Sequence, residues 1–339
     1  MNKFSPILSI INKPENQKIR VLTYAVHEGF QCSMADTNKV EFVVIPSPEG
    51  KEWDTDYREI PNNVIMVGSE QLQSLDYVNV GLSHTLPQRE HMSQICKDFN
   101  IPHINMLHIY PEESLVETGR WINSVKADNK ADIQVFTTID QAAQWGYSQS
   151  ECTIIPHGID TDHFSGWSGE ENSTLTVSNF FEERDSELGF TYYNITKSIL
   201  SYKNYTNFIH VGKSNSNFSK PAKDYDDLST KYKTARIFFN PCYRSVIPTT
   251  LLEAMSTGMP VVTRSNATIE KLISHGENGL LVHDNPENAA AAIQILLEDS
   301  SLCKKMGEAA RKTVLEKYNM EKFENNWINC YERIIKNDN

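Results

Sequence analysis

The stretch Thr249-Thr-Leu-Leu-Glu-Ala-Met-Ser-Thr-Gly-Met-Pro-Val-Val262 changes character half-way through. Its first nine residues read as a short helix, Gly258 as the residue that stops it, and Pro260–Thr263 as a buried strand. Strand-like runs flank it on both sides, Arg236–Asn240 before and Gly279–Val282 after. Strands that alternate with helices pair in parallel, because a parallel neighbour needs a long crossover. Working outward, Leu175–Ser178 and Phe208–Val211 extend the same scheme toward the N-terminus. Ile19–Val26, Val40–Ile45, Asn63–Val67, Tyr77–Leu82, His103–Leu107, Ile133–Thr138 and Thr153–Ile155 repeat it in the first half. The expected fold is α/β, with two Rossmann-like domains facing across a cleft. Open parallel sheets bind ligands at the C-terminal ends of their strands.

Between the halves, Ser165–Thr174 is polar and rich in Gly and Ser, and reads as a linker. It sets expected domains of 1–165 and 166–320. Asp284-Asn285-Pro286-Glu287 carries helix-start signals ahead of an Ala-rich run. Phe323, Trp327 and Tyr331 form one apolar stripe on a last helix, 321–339, expected to pack back toward the N-terminal domain.

The 339 residues carry 32 Lys+Arg and 44 Asp+Glu, a net charge of −12. Residues 1–165 hold 12 basic and 22 acidic residues, so −10 of that charge lies in the first half. A broad polyanionic partner is disfavoured, because phosphate contacts demand Lys and Arg. Six cysteines lie far apart with no C-x-x-C pair, which points to reduced, buried thiols rather than metal or redox sites. No run approaches the roughly 18 apolar residues that span a bilayer. Phe4–Ile11 is short and contains Pro6, so it does not read as a signal peptide. A cytoplasmic location is the expectation.

Two segments carry a family resemblance: Ile154-Ile-Pro-His-Gly-Ile-Asp-Thr-Asp-His-Phe164, and Asn240-Pro through Leu252-Glu253 to Ile273-Ser-His-Gly-Glu-Asn-Gly-Leu-Leu281. Together they resemble the GT-B glycosyltransferases of the family-four type. Val177–Phe190 looks like the donor-phosphate loop of a compact subgroup with an Arg-Asp pair, here Arg184-Asp185. The resemblance implies sugar transfer from a nucleotide-sugar to an acceptor hydroxyl, with retention and without metal or other cofactor.

The chemistry of a diphosphate leaving group asks for fixed positive charge. Arg184, on a loop into a helix, can hold two phosphate oxygens; the bland reading is a surface Arg paired with Glu182, Glu183 or Asp185. Glu253 matches the family residue that accepts from two ribose hydroxyls; its structural rival is a capping box, Thr250-Leu-Leu-Glu253. Thr249 and Thr250 would offer hydroxyl and N–H groups to the diphosphate. Two departures stand out. Ser245 occupies the place of a second family glutamate, and Gly189 that of a phosphate-binding Lys. Lys213 could supply the missing charge, or be solvated.

In the first half, His27, His84 and His108 each end an expected strand. The resemblance favours His108 and His27 as sugar or acceptor contacts. Gly29 would permit close ligand approach, and Arg89 and Tyr110 are further acceptor-side candidates. Asp54-Thr-Asp56 and Asp160-Thr-Asp162 resemble metal motifs but do not end strands as such motifs require, and Gly212-Lys213-Ser214 lacks the first glycine of a P-loop. The expected acceptor is a saccharide or a lipid-linked glycan. A hydroxymethylated base in DNA, as for phage-type DNA glycosyltransferases, is a second reading that the charge disfavours. Ser245 motivates a third, a protein that binds sugar nucleotides without transferring the sugar. Nucleotide-sugar epimerisation on the same fold is a fourth.

Overall fold

The computed structural model describes residues 18–26, 28–37, 39–55, 58–112, 119–214 and 218–337. His27, Asp56 and the Phe4–Ile11 run lie outside the described residues. The chain divides into two compact units, the described residues of Met1–Pro156 with Glu321–Asn339, and His157–Met320.

Unit 1 is a parallel sheet built from β1 (Ile19–Tyr24), β2 (Val40–Ile45), β3 (Val64–Met66), β4 (Val80–Ser83), β5 (His103–Met106), β6 (Ile133–Phe136) and β7 (Thr153–Ile154). Their spatial order is β3-β2-β1-β4-β5-β6-β7. Residues of β4 and β5 are buried on both faces, as parallel strands covered by helices must be. Those helices are α1 (Glu28–Ala35), α2 (Leu86–Phe99), α3 (Arg120–Ala127) and α4 (Ile139–Gln144). Thr85 starts α2 and Thr138 starts α4, each accepting a first-turn N–H on its hydroxyl. Leu22, Tyr24, Val43 and Ile45 pack against Met92 and Cys96 of α2.

Unit 2 contains β8 (Glu171–Val177), β9 (Phe208–Val211), β10 (Ala235–Asn240), β11 (Val261–Arg264) and β12 (Leu280–Val282), in the order β12-β11-β10-β8-β9. Its helices are α5 (Asp185–Leu188), α6 (Phe190–Tyr202), α7 (Tyr225–Thr234), α8 (Thr249–Thr257), α9 (Ile269–Leu272), α10 (Pro286–Glu298) and α11 (Ser300–Lys317). Two apolar clusters cover the two faces of the sheet. Leu251, Leu252 and Met255 of α8 anchor one; Tyr193 of α6 and Ile293 of α10 anchor the other. Asn285 caps α10 by accepting from Glu287 N–H, with Pro286 at the first position, as the sequence signals require.

The final helix, α12 (Met320–Asn337), belongs to unit 1. Phe323, Trp327 and Tyr331 are buried, and Phe30 of α1 meets Phe323 and Trp327 edge-on at 5.7 and 6.5 Å.

The structure corrects the expected linker at Ser165–Thr174. The division falls after Pro156, because Ile159 and Phe164 already lie in the core of unit 2. Glu171 onward is strand, and Trp167 packs on that core while donating its indole N–H to the Ala235 carbonyl at 2.9 Å. A polar, Gly-rich composition here serves tight turns over packed structure, not a free tether. Among the described residues, no helix is long and apolar enough to cross a membrane.

Candidate functional site

The order of strands in unit 2 places its site. The chain runs from β8 to β9 on one side, then crosses to the other side for β10. The direction of winding therefore reverses between β8 and β10, and adjacent loops diverge there to leave a crevice at the strands' C-terminal ends. A small pocket occupies that position, with Thr176, Ser178, Asn240, Cys242, Ser245 and Thr250 in its wall. Two expected donor residues, Ser245 and Thr250, thus share one pocket.

The helix that supplies Thr250 starts at Pro248, whose extended backbone turns the chain into α8 without a side-chain cap. The first-turn N–H groups of Thr249 and Thr250 sit at the positive end of the helix dipole. Because α8 starts at Pro248, Thr250 lies inside the helix, and the capping box that rivalled Glu253 does not form. Glu253 instead accepts a hydrogen bond from the Tyr232 hydroxyl of α7, 2.9 Å from Oε2.

Arg184 caps the backbone of the short α5, half-exposed, with Nε donating to Glu187 Oε2 at 3.1 Å and Nη2 completing the pair. Its partner here is Glu187, one turn on, and not the adjacent Glu182, Glu183 or Asp185 that the sequence offers. An exposed pair of this kind is worth under about 1 kcal/mol. It can yield to a doubly charged ligand. The loop is held in place from below. The Glu187 carbonyl accepts from the N–H groups of Tyr243 and Arg244 at 3.1 and 3.2 Å. Gly189 follows at φ +77°, where a Cβ would lie 2.4 Å from the Pro241 carbonyl oxygen. No side chain fits there, which accounts physically for the absent lysine. Burial pushes the Cys242 thiol up to about 12, against the smaller downward pull of Arg184 and Arg264.

Lys213 lies in the loop after β9, which is laced to the loop after β8. Its N–H donates to Asn179 Oδ1 at 2.8 Å, and its carbonyl accepts from Phe180 N–H at 2.6 Å. Gly212 permits this approach, since a Cβ would sit 1.8 Å from the Ser178 carbonyl oxygen. His210 of β9, not anticipated from the sequence, bonds Ser178 Oγ through Nε2 at 3.0 Å and stacks on Phe181. Tyr232 is a second residue that sequence reasoning passes over. Its sequence signal is a helical stripe with Tyr225 and Leu228, which reads equally well as core.

In unit 1 the winding reverses between β1 and β4. His84, just past β4, is buried rather than at a rim. Its Nε2 lies 3.1 Å from Thr23 Oγ1 and its Nδ1 lies 3.0 Å from His108 Nε2. His84 and His108 stack, and Phe30 meets His108 edge-on. Two of the three expected histidines are therefore joined, and the third, His27, lies outside the described residues. Gly29 sits in the first turn of α1, its carbonyl accepting from Ser33 Oγ. Arg89 is buried and donates to the Val125 carbonyl at 2.9 Å, tying α2 to α3. Burial holds its pKa below the ordinary guanidinium value. That position suits a structural role better than acceptor contact, and Tyr110 is likewise buried.

Residues 208–313 match the protein family described as Glycosyl transferases group 1. That stretch is similar to the domain of group 1 glycosyltransferases. It contains β9 to α10, Glu253, and the pocket wall from Asn240 to Thr250 with Ser245 in it. The chain is 38% identical over 90 residues to N-acetyl-alpha-D-glucosaminyl L-malate synthase of Bacillus anthracis, covering 26% of this chain and 23% of that one. It is 29% identical over 83 residues to spore coat protein SA of Bacillus subtilis, covering 24% and 22%. The matched stretch thus spans about a quarter of the length of these relatives. Across the chain, the fold matches GT-B glycosyltransferase structures. The Anabaena protein HepE, solved with UDP and glucose, superposes with a TM-score of 0.73 at 13% identity, over 93% of this chain and 100% of that one. Sucrose-phosphate synthase from Thermosynechococcus elongatus gives 0.68 at 15% identity, over 94% and 100%.

Proposed function

We propose that this protein transfers a hexose or pentose from a nucleotide-diphosphate-sugar to an acceptor hydroxyl, with retention and without metal. The observation that carries the reading is the pocket where β8 and β10 diverge, with the N-terminus of α8 in its wall and the Arg184 loop braced beside it. A diphosphate seated there meets helix N–H donors and one guanidinium released from Glu187. The negative charge that grows as the glycosidic bond breaks is met by groups already oriented, so little reorganisation is needed. Glu253 accepts from the ribose hydroxyls. Ser245 stands where a carboxylate would hold the donor sugar, so a neutral hydroxyl reads that sugar. His108, backed by His84, is the proposed sugar or acceptor contact of unit 1. With no carboxylate assigned as nucleophile, the donor phosphate takes the acceptor proton on the face from which the diphosphate leaves.

The neighbour solved with UDP and glucose makes UDP-glucose the first donor to try. The test is nucleotide-diphosphate release from UDP-glucose, UDP-N-acetylglucosamine and GDP-mannose, with saccharide and hydroxy-acid acceptors. Arg184→Ala should lower turnover by about 100-fold, the scale of losing one charge-stabilising donor. Full turnover in that variant overturns the reading. Tight nucleotide binding without release from any donor favours the binding protein without transfer that Ser245 motivates.

A further inference from the structure

Phe180 and Phe181 are neighbours with opposite fates. Phe181 is 1% exposed within an aromatic cluster, whereas Phe180 is 40% exposed with φ +55°. A bulky side chain in left-handed backbone is sterically disfavoured, and an exposed aromatic ring adds no core burial to compensate. Asparagine tolerates that backbone far better. An asparagine is at hand one residue earlier, yet the Asn179 side chain is committed to accepting from Lys213 N–H.

The backbone around Phe180 is fixed on both sides. Its N–H donates to the Lys213 carbonyl, and its carbonyl accepts from Arg184 N–H at 3.0 Å. Ser178 and Phe181, on either side of it in the chain, both stand in the pocket wall. The ring is thus presented to solvent from a braced loop, between the Arg184 segment and the loop after β9. Strain of this kind, held by over-determined surroundings, belongs to sites rather than to packing.

We infer that the ring of Phe180 is the stacking surface for the base of the donor nucleotide. The inference rests on the proposed function, which puts the diphosphate in the pocket and the ribose near Glu253. A planar, apolar face beside such a pocket suits a purine or pyrimidine, whose π-face stacks on any aromatic ring.

The test compares UDP, GDP, UDP-glucose and inorganic pyrophosphate by calorimetry on wild type, Phe180→Ala, Phe180→Gly and Phe180→Tyr. Loss of one stacking partner should weaken UDP and GDP about tenfold. Pyrophosphate should bind unchanged, and Phe180→Tyr should keep wild-type affinity. Phe180→Gly relieves the left-handed backbone, so it should fold at least as stably as wild type while losing the same affinity. Three results overturn the inference. The first is UDP binding Phe180→Ala as tightly as wild type. The second is pyrophosphate weakening in parallel, which would mean that the loop had moved. The third is weakening of UDP-glucose alone, which would mean that the ring meets the sugar. Wild type that binds none of the four overturns the proposed function along with it.

Discussion

Glu253 and Tyr232 share a hydrogen bond but carry different expectations. If Glu253 holds the ribose, Glu253→Ala should raise the Kd for UDP at least about tenfold, a loss of about 1.4 kcal/mol or more. Tyr232→Phe removes the hydroxyl that braces that carboxylate and should cost about 1.5 kcal/mol of stability, read from urea unfolding. Equal UDP binding by Glu253→Ala and wild type would return Glu253 to a structural role. Gly189 gives the sharper residue-scale lesson. Its sequence position marks a missing lysine, and only the structure says why. A side chain in left-handed backbone costs about 1–2 kcal/mol, and here its Cβ would also strike the Pro241 carbonyl. Gly189→Lys should therefore destabilise unit 2 by more than about 2 kcal/mol and leave phosphate binding no better. A stable variant that binds UDP more tightly would contradict this account.

At the scale of elements, each described strand overlaps a run that the sequence marks, although β8 begins at Glu171, inside the stretch expected to be a linker. Parallel strands covered on both faces read as short, largely apolar runs, and that signal survives without knowledge of their neighbours even where buried polar residues such as His103 and Asn105 interrupt it. Spatial order is not written locally, so the reversals between β8 and β10 and between β1 and β4 emerge only in the folded chain. The same limit misled the reading of Ser165–Thr174. Its polarity is real, but Ser168 and Gly169 donate their N–H groups to the Lys233 carbonyl, and Arg236 Nε donates to the Gly169 carbonyl at 3.0 Å. Composition cannot reveal partners that lie far along the chain. Trp167→Ala should cost about 2–3 kcal/mol through lost packing and one lost hydrogen bond. A true linker would show no change, so an unaltered urea midpoint would restore the linker reading.

For the whole molecule, the sequence was legible as a source of candidates where chemistry depends on residue type, as at Arg184, Glu253 and Thr250, of which the pocket wall holds Thr250. It was not legible where burial decides, as for Arg89 and His84. Burial also gives each unit an acid-sensitive histidine. His103 in unit 1 and His210 in unit 2 are both pushed down to about 4, chiefly by burial. Around His103, Ser83 Oγ donates to Asn105, so it accepts from His103 Nε2–H at 2.9 Å, while Ser93 lies 3.1 Å from Nδ1. The neutral ring is satisfied on both nitrogens, and a second proton would have to displace the Ser93 hydroxyl proton. With the folded pKa below the ordinary value of 6.5, the unfolded chain takes up the proton first as pH falls. The stabilisation is complete above about pH 6.5, drains away between there and about pH 4, and is gone below that. For His103 the loss is of order 3 kcal/mol, and it should be smaller for the less buried His210. Carboxylates titrate in the same range, so the difference between wild type and His103→Gln isolates the effect. The stability advantage of wild type should be constant above about pH 7 and shrink by that amount on acidification to about pH 4. Parallel pH–stability curves for the two proteins would mean that His103 takes up its proton in the folded state as easily as in the unfolded chain.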